Sequence, residues 1–491
     1  MTVQSLDLEL PPFLYLRATE YLRGPPASPC CAPRSPPLTT PPIPVPSETF
    51  HRVCEHILGP DADLTTLAPT LRDQVVLLRL DLNVPLANGG IADAHRLRAT
   101  LPTLDLLLAY DARVVILSHS GRPCPIWSDK IDQNDPNHDH DHAHDRSTPR
   151  DDDASLALVA AALAALRPDK YAGFVPHITG PVVRSACSAL CPGQFLVIEN
   201  VRLHAGETSN SATFARTIRE DTQASAYILD AFAVAHRAHT TTHALPLLFP
   251  RTHRFPGLLI RQEVHALSSL LLRPARPFCC VIGGAKVVDK IGILKTLVQT
   301  ADCLMLGGRM SLTFLAAQGV HVGLSAAEQA CVPLAQEIMR DAERTGVRIM
   351  CPTDLVLADG LHEGARVSTS PCTVSCCSAD APCVPRGMFA PDIGPETAKV
   401  YAGALGHCAT ILWNGPMGMF EVEAFARGTA AVRVAMASRK EHGVVTVVGG
   451  GDTGAAAQAC ADRFSHMSTG GGATLAFLEG QEMPALTVLC P

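Results

Sequence analysis

VVGGGDTGAAA, residues Val447–Ala457, sets the architecture of this chain. A β-branched run stops at three glycines and one acid, and an alanine-rich stretch follows. That order predicts a strand, a glycine turn and a helix in succession. A bare turn does not need three consecutive glycines. Their backbone N–H groups can approach a ligand closely, and at a helix start the expected ligand is phosphate. The stretch is not a P-loop, because no lysine follows the glycines. A phosphate bound here must take its cation from another segment.

Working outward, the same strand-then-helix order recurs from about residue 70. VVLLRLDLNVPL, ARVVILSHS, FLVIENV, AYILDAFAV, PFCCVIGGA, CLMLGG, VRIMCPTDLVLA and ATILWNG are short apolar runs, each leading toward a helical stretch. Such runs predict parallel strands buried on both faces. They fall in two sets, about 75–240 and 278–452, separated by the predicted helix LLIRQEVHALSSLLL at 258–272. The fold class expected is α/β, with two doubly wound parallel-sheet domains joined by a helix. The expected divisions are a first domain over 59–257, a helix over 258–273, a second domain over 274–465 and a final segment over 466–491.

Residues 1–58 carry the proline-rich tract PPASPCCAPRSPPLTTPPIPVPSE and are expected to form an extended arm, either a plain extension or a targeting segment. The insert 132–153 alternates histidine and aspartate at His138, His140, His142 and His144. It is either a solvated loop or a weak metal-binding tract. The net charge of −7 offers no basic footprint for nucleic acid. No apolar run is long enough to span a bilayer, and the N-terminus lacks the order of a secretory signal. The 18 cysteines are scattered, which suggests reduced thiols in a cytoplasmic setting. Cys372, Cys376, Cys377 and Cys383 leave zinc as an alternative.

In doubly wound sheets, ligands sit beyond the carboxyl ends of the strands. In LLRLDLNVP, alternation places Arg79, Asp81 and Asn83 on one side, as either a buried polar network or a site. SHSGRP offers His119 and Arg122, IENVRLHAGE offers Arg202 and His204, and LDAFAVAHRAHTT offers His236, Arg237 and His239. Arg96 follows the first strand. Four arginines from successive strand ends suit an anion with carboxylate or phosphate groups. The second half differs. It offers Lys286 and Lys290 after Gly284-Ala285, Gly307-Gly308, Asn414-Gly415-Pro416, Glu421, and Gly450-Gly451-Asp452-Thr453. Small residues suit a flat base and phosphates, lysines supply point charges, and Asp452 suits Mg²⁺. A further glycine-started helix begins at Gly470-Gly471-Gly472.

Taken in order, LLRLDLNVPL, SHSGRP, ENVRLHAGE, DAFAVAHRAH, GGAKVVDKIG, WNGPMGMFE, GGGDT and FSHMSTGGGATLAFLEG closely resemble the motif set of the phosphoglycerate kinase family, from about residue 62 to 490. The resemblance implies a two-domain Rossmann-like fold with a hinge cleft, a monomer, and reversible phosphoryl transfer between 1,3-bisphosphoglycerate and MgADP in glycolysis or gluconeogenesis. It implies a phosphoglycerate site of Asp81, Asn83, Arg96, His119, Arg122, Arg202 and Arg237. It implies a nucleotide site of Gly284, Ala285, Lys286, Lys290, Gly308, Asn414, Gly415, Pro416, Glu421, Gly450, Gly451, Asp452 and Thr453, with Asp452 at the metal. Arg96, Lys290 and the Gly470–Gly472 helix start are the expected catalytic groups, and the final segment is expected to pack back on the first domain.

Two departures from the family pattern fall near the expected adenine: Arg309 replaces a glycine, and Ala390-Pro391 replaces Gly-Leu. Ser120 and Ala233 are milder changes. The departures keep open a second reading, a catalytically impaired binding or regulatory relative.

Overall fold

A computed structural model describes residues 47–87, 89–127, 154–323 and 327–490. The proline tract up to residue 46 and the His/Asp insert 132–153 lie outside the described residues. The described chain divides into two compact units, one formed by residues 47–269 together with 469–490, the other by 270–468.

The first unit carries β1 (Val75–Leu80), β2 (Leu86–Ala87), β3 (Gly90–Ile91), β4 (Arg113–Leu117), β5 (Tyr171–Val175), β6 (Phe195–Ile198), β7 (Ala226–Asp230) and β8 (Arg254–Pro256). Six of these make a sheet in the order β5-β6-β4-β1-β7-β8, parallel throughout. The short β2 and β3 pair separately as an antiparallel hairpin. Val76, Leu77, Leu78 and Leu80 on β1 are fully buried, so both faces of the strand are covered and its apolar run is nearly continuous. Arg79 interrupts that run and sits in register between Leu117 of β4 and Leu229 of β7.

The expected arm over 1–58 is too long. Glu48–Leu58 is a helix, capped by the Ser47 hydroxyl, which accepts the Phe50 N–H at 3.2 Å. Its buried residues Phe50, Val53, Cys54 and Ile57 follow the i, i+3, i+4, i+7 rule. At the other end, the helix Gly472–Leu478 brings Phe477 within 4.7 Å of the Phe50 ring and 6.0 Å of Phe232. The return to this unit begins at Thr469 rather than 466, because β17 (His466–Met467) still pairs with the sheet of the second unit. The helix Leu258–Leu272 spans the division between the two units. Asp230, at the end of β7, accepts the Ile260 N–H at 3.0 Å inside that helix's first turn.

The second unit carries β9 (Phe278–Ile282), β10 (Cys303–Leu306), β11 (Arg348–Met350), β12 (Asp354–Ala358), β13 (Val367–Pro371), β14 (Phe389–Ile393), β15 (Thr410–Asn414), β16 (Val445–Gly449) and β17. Its main sheet runs β11-β10-β9-β15-β16-β17, again parallel. The run VRIMCPTDLVLA, expected as one strand, is two. Pro352 lacks the N–H that a continuing ladder needs, and the chain leaves the main sheet after Met350. β12 then centres a separate antiparallel sheet, β13-β12-β14, that alternation within single segments did not announce.

Candidate active site

In the first unit the carboxyl ends of β1, β4 and β7 and the segments after β6 and β7 collect the basic residues. Arg79 is fully buried. Its Nε donates to the Thr241 hydroxyl at 2.9 Å, a terminal nitrogen reaches the Leu80 carbonyl, and the other lies 3.1 Å from His119 Nδ1. Thr241 in turn donates its hydroxyl at 2.6 Å and its N–H at 2.9 Å to the buried Glu207 carboxylate. Burial raises the Glu207 carboxyl above its ordinary range, and the nearby Arg79 opposes that rise.

Asp81 is nearly buried. It accepts the Asn83 N–H at 3.2 Å and faces Arg96 at 3.2 Å. The Arg96 contact lacks hydrogen-bond alignment, so that carboxylate oxygen has charge compensation without a directed donor. Arg96 also donates to the Asn83 carbonyl at 3.1 Å. Asn83 Oδ1 accepts the Gly121 N–H at 2.9 Å, which ties the β1 end to the β4 end. Arg202 donates to the Gly121 carbonyl at 2.6 Å, and Asn200 Oδ1 accepts the Arg202 N–H at 3.0 Å. Arg237 donates to His236 Nε2 at 3.1 Å.

The electrostatics agree with one crowded positive site. Burial, then Arg79 and Arg237, push the Arg202 guanidinium down to about 10, against the pull of Glu207 and Asp81. His119 is driven well below its ordinary value by burial and by Arg79, Arg202 and Arg96. His239 is pushed to about 4 by burial, Arg202, Arg79 and Arg237. Four guanidiniums thus converge with two carboxylates, Asp81 and Glu207. That leaves a net positive site suited to an anion. Arg122 is different. It is exposed, after Gly121 with φ +60°, and makes no hydrogen bond or ion pair among the described residues. Glu207 and Thr241 complete the site without having been singled out in the sequence, while Arg79 and His239 were offered as strand-end residues but fell outside the residue set that the resemblance implied.

The Gly470–Gly472 run lies in the same unit. A side chain at Gly470 would collide with Phe232 and Thr474, Gly471 takes φ +53°, and Gly472 faces His236. Just before it, the buried Glu263 carboxylate accepts both the N–H of Thr469 at 2.7 Å and its hydroxyl at 2.9 Å. The chain is thereby anchored where it re-enters this unit.

In the second unit the glycines explain one another. A Cβ on Gly308 would stand 2.5 Å from the Gly284 carbonyl oxygen, and one on Gly415 would stand 2.1 Å from that of Gly283. Both also have positive φ, +64° and +96°. The ends of β9, β10 and β15 therefore touch backbone to backbone at Gly283, Gly284, Gly308 and Gly415 and form a rim, with the Met417 side chain set against Gly307. Gly415 N–H donates to the Thr453 hydroxyl at 2.6 Å, which joins this rim to the glycine turn at Gly450. Buried Asn414 donates to the Gly449 carbonyl at 2.8 Å and accepts from Lys290 Nζ. Lys290, from the segment after β9, thus places a cation on the asparagine that holds the strand end before the glycine turn. Lys286, Ala285 and Glu421 are exposed, and Pro416 is half-buried on the same rim.

Asp452 sits exposed in the first turn of the helix Gly451–Ala457, with no hydrogen bond or ion pair among the described residues. One free carboxylate beside a glycine turn fits Mg²⁺, which takes few protein ligands. No three His, Cys, Asp or Glu side chains converge as a metal set among the described residues, so the four cysteines at 372–383 do not form the zinc site left open above. Arg309 is exposed and unpaired among the described residues, at the start of the helix Met310–Ala317. Pro391 is buried in β14, and its carbonyl accepts the Met419 N–H at 2.9 Å from the loop after β15.

Residues 66–481 match the family model described as phosphoglycerate kinase. The chain is 41% identical over 430 residues to phosphoglycerate kinase of Moorella thermoacetica, covering 87% of this chain and 99% of that protein. It is 41% identical over 421 residues to the Thermus thermophilus enzyme of that name, covering 84% and 96%. The solved phosphoglycerate kinase of Coxiella burnetii superimposes with a TM-score of 0.69 at 34% identity, covering 85% of this chain and 96% of that one. The structure from Pyrococcus horikoshii gives 0.66 at 26% identity over the same shares.

Proposed function

The chain belongs to the phosphoglycerate kinase family, and on that footing we propose how its two residue sets divide the reaction. The protein is a phosphotransferase that exchanges a phosphoryl group between ATP and the carboxyl group of 3-phosphoglycerate.

The basic site of the first unit takes the phosphoglycerate. Arg202 and Arg237 hold its phosphate and carboxylate, and Asp81 and Asn83 accept from its hydroxyl. The buried Arg79–Thr241–Glu207 network fixes the floor beneath them. His119 and His239 stay neutral at physiological pH, because burial, and after it the surrounding guanidiniums, resist a positive charge. They can therefore accept hydrogen bonds as well as donate them. Arg122 is exposed and takes up its role, if bound, at the outer edge.

The glycine rim of the second unit takes the nucleotide. Its bare backbone admits a planar base and phosphates, with Lys286 and Lys290 as cations and Glu421 for the ribose. Asp452 would hold Mg²⁺, which neutralises charge on the nucleotide phosphates when bound. Phosphoryl transfer needs little covalent help. It needs in-line placement and cancellation of charge on the equatorial oxygens. Arg96, Lys290 and the N–H groups at Gly470–Gly472 are assigned to that cancellation. Because the two ligands are assigned to different units, transfer requires closure about a hinge, which also excludes water.

The observation that carries the assignment is the surplus of guanidinium over carboxylate at the β1, β4 and β7 ends. The test is steady-state turnover of the purified protein with MgATP and 3-phosphoglycerate, alongside calorimetric binding of MgADP. Turnover with both ligands binding is expected. Absence of both turnover and MgADP binding would refute the catalytic reading.

A further inference from the structure

Away from both ligand sites, the second unit holds four cysteines in the stretch after β13. Cys372, Cys377 and Cys383 are buried, in an apolar cluster with Leu312 and Leu315 of the helix Met310–Ala317. Cys376 is exposed. Its sulfur lies 2.8 Å from the Thr373 hydroxyl, accepts the Thr373 N–H at 3.3 Å, and stands 3.9 Å from the Cys377 sulfur. Cys377 in turn contacts Cys383. An accessible sulfur that accepts a backbone N–H, lies against a hydroxyl and has a second thiol beside it meets the requirements of a redox-responsive cysteine.

We propose that Cys376 is a reversible oxidation site, with Cys377 as its resolving thiol. The Cys376 thiolate attacks one oxygen of hydrogen peroxide; the O–O bond breaks, and hydroxide leaves. The sulfenic acid so formed is attacked by the Cys377 thiolate, the S–O bond breaks, and a second hydroxide leaves. Two protons, one from each thiol, convert the hydroxides to water. The product is a disulfide closed across a single peptide bond. Such a small ring is strained and hence readily reduced by a dithiol. The Thr373 donors favour the thiolate, and the Cys376 thiol is held below its ordinary value while burial raises Cys377.

Oxidation at this position has a route to the nucleotide side, a consequence that rests on the assignment above. Cys377 and Cys383 pack under the helix whose first residue follows Arg309. The Cys383 N–H donates to the His321 carbonyl at 2.8 Å, just beyond that helix. The same stretch leads into β14, where the Pro391 carbonyl holds Met419 beside the glycine rim. Twisting the 376–377 peptide therefore perturbs both walls of the proposed base pocket.

The full-length protein is treated with stoichiometric hydrogen peroxide, quenched with acid, and mapped by differential alkylation and mass spectrometry. The expected result is a Cys376–Cys377 pair that forms about tenfold faster than oxidation of Cys124 or Cys191, the other exposed thiols among the described residues. The KM for MgATP should rise several-fold in the oxidised protein and return on treatment with dithiothreitol. Cys376→Ser, outside the catalytic machinery, should keep basal turnover and lose both effects. Equal oxidation of Cys124 or Cys191, or an unchanged response in Cys376→Ser, overturns the proposal. A mapped pair with unchanged KM overturns the coupling if Lys290→Ala does weaken MgATP. If Lys290→Ala is also silent, the nucleotide assignment is what fails, and the thiol pair stands on the mapping.

Discussion

Replacing Arg96 by alanine separates catalysis from stability. The guanidinium stands 3.2 Å from Asp81 and 3.1 Å from the Asn83 carbonyl, with 29% of the Arg96 side chain exposed against 3% for Asp81. Two losses are expected. Removing one preorganised cation from a phosphoryl-transfer site should lower kcat about a hundredfold or more, or about 3 kcal/mol of transition-state stabilisation. The stability loss is smaller. Breaking a fully buried ion pair costs about 3–5 kcal/mol. Water reaches the arginine end of this pair, and screening brings the expected cost to about 1–2 kcal/mol. The companion variant Arg96→Ala with Asp81→Asn removes the stranded buried carboxylate. It should regain stability without regaining turnover. Steady-state turnover and urea unfolding midpoints on the two variants measure each term. Turnover within threefold of the parent in Arg96→Ala would refute the catalytic assignment. A double variant no more stable than the single one would refute the account of Asp81.

Lys290→Ala should lower kcat by a similar factor of about a hundred, because it removes the cation fixed to Asn414; single-turnover measurement with MgATP checks this. Gly308→Ala should destabilise the second unit by about 2 kcal/mol or more, since φ is +64° and the new methyl group would meet the Gly284 backbone at 2.5 Å. Thermal unfolding reads that loss. Burial lifts the Asp392 carboxyl from 3.8 to about 7. The native state therefore keeps a proton that the unfolded chain gives up. The Asp392 contribution is full below the lower value, declines as pH rises to the higher one, and is flat beyond. Asp392→Asn should flatten the unfolding midpoint across that window. Arg309→Gly should change the KM for nucleotide but not for 3-phosphoglycerate, with stability altered by only a few tenths of a kcal/mol, because the side chain is exposed at a helix start.

Strand identity was legible because parallel strands buried on both faces must be apolar for most of their length. The functional side of β1 was legible too, since alternation puts Arg79, Asp81 and Asn83 together. What Arg79 does was not legible. Its partner Thr241 lies 162 residues away, and Thr241 in turn hydrogen-bonds to Glu207. Pairings of that kind leave no local pattern. The glycine turns stood out in the sequence as candidate ligand contacts, but their mutual packing, Gly308 on Gly284 and Gly415 on Gly283, depends on sheet order. Two misreadings had local signals that were available. Ser47 followed by Phe50, Val53, Cys54 and Ile57 is a capped amphipathic helix, overshadowed by the prolines before it. Pro352 marks the end of β11. The antiparallel sheet β13-β12-β14 had no such signal, because its pairing joins segments separated by exposed loops.

The first unit is built from two stretches far apart in sequence: Phe50 packs on Phe477, and Gly470 packs on Phe232. During synthesis, domains generally fold in the order in which they leave the ribosome. Here that order is inverted. Everything needed for the later unit has emerged by residue 468, while the earlier one still waits for residues 469–490. Until residues 469–490 have been made, the apolar faces of Phe50 and Phe232 have no partner from the helix Gly472–Leu478, and a nascent chain in that condition exposes the surface that chaperones cover.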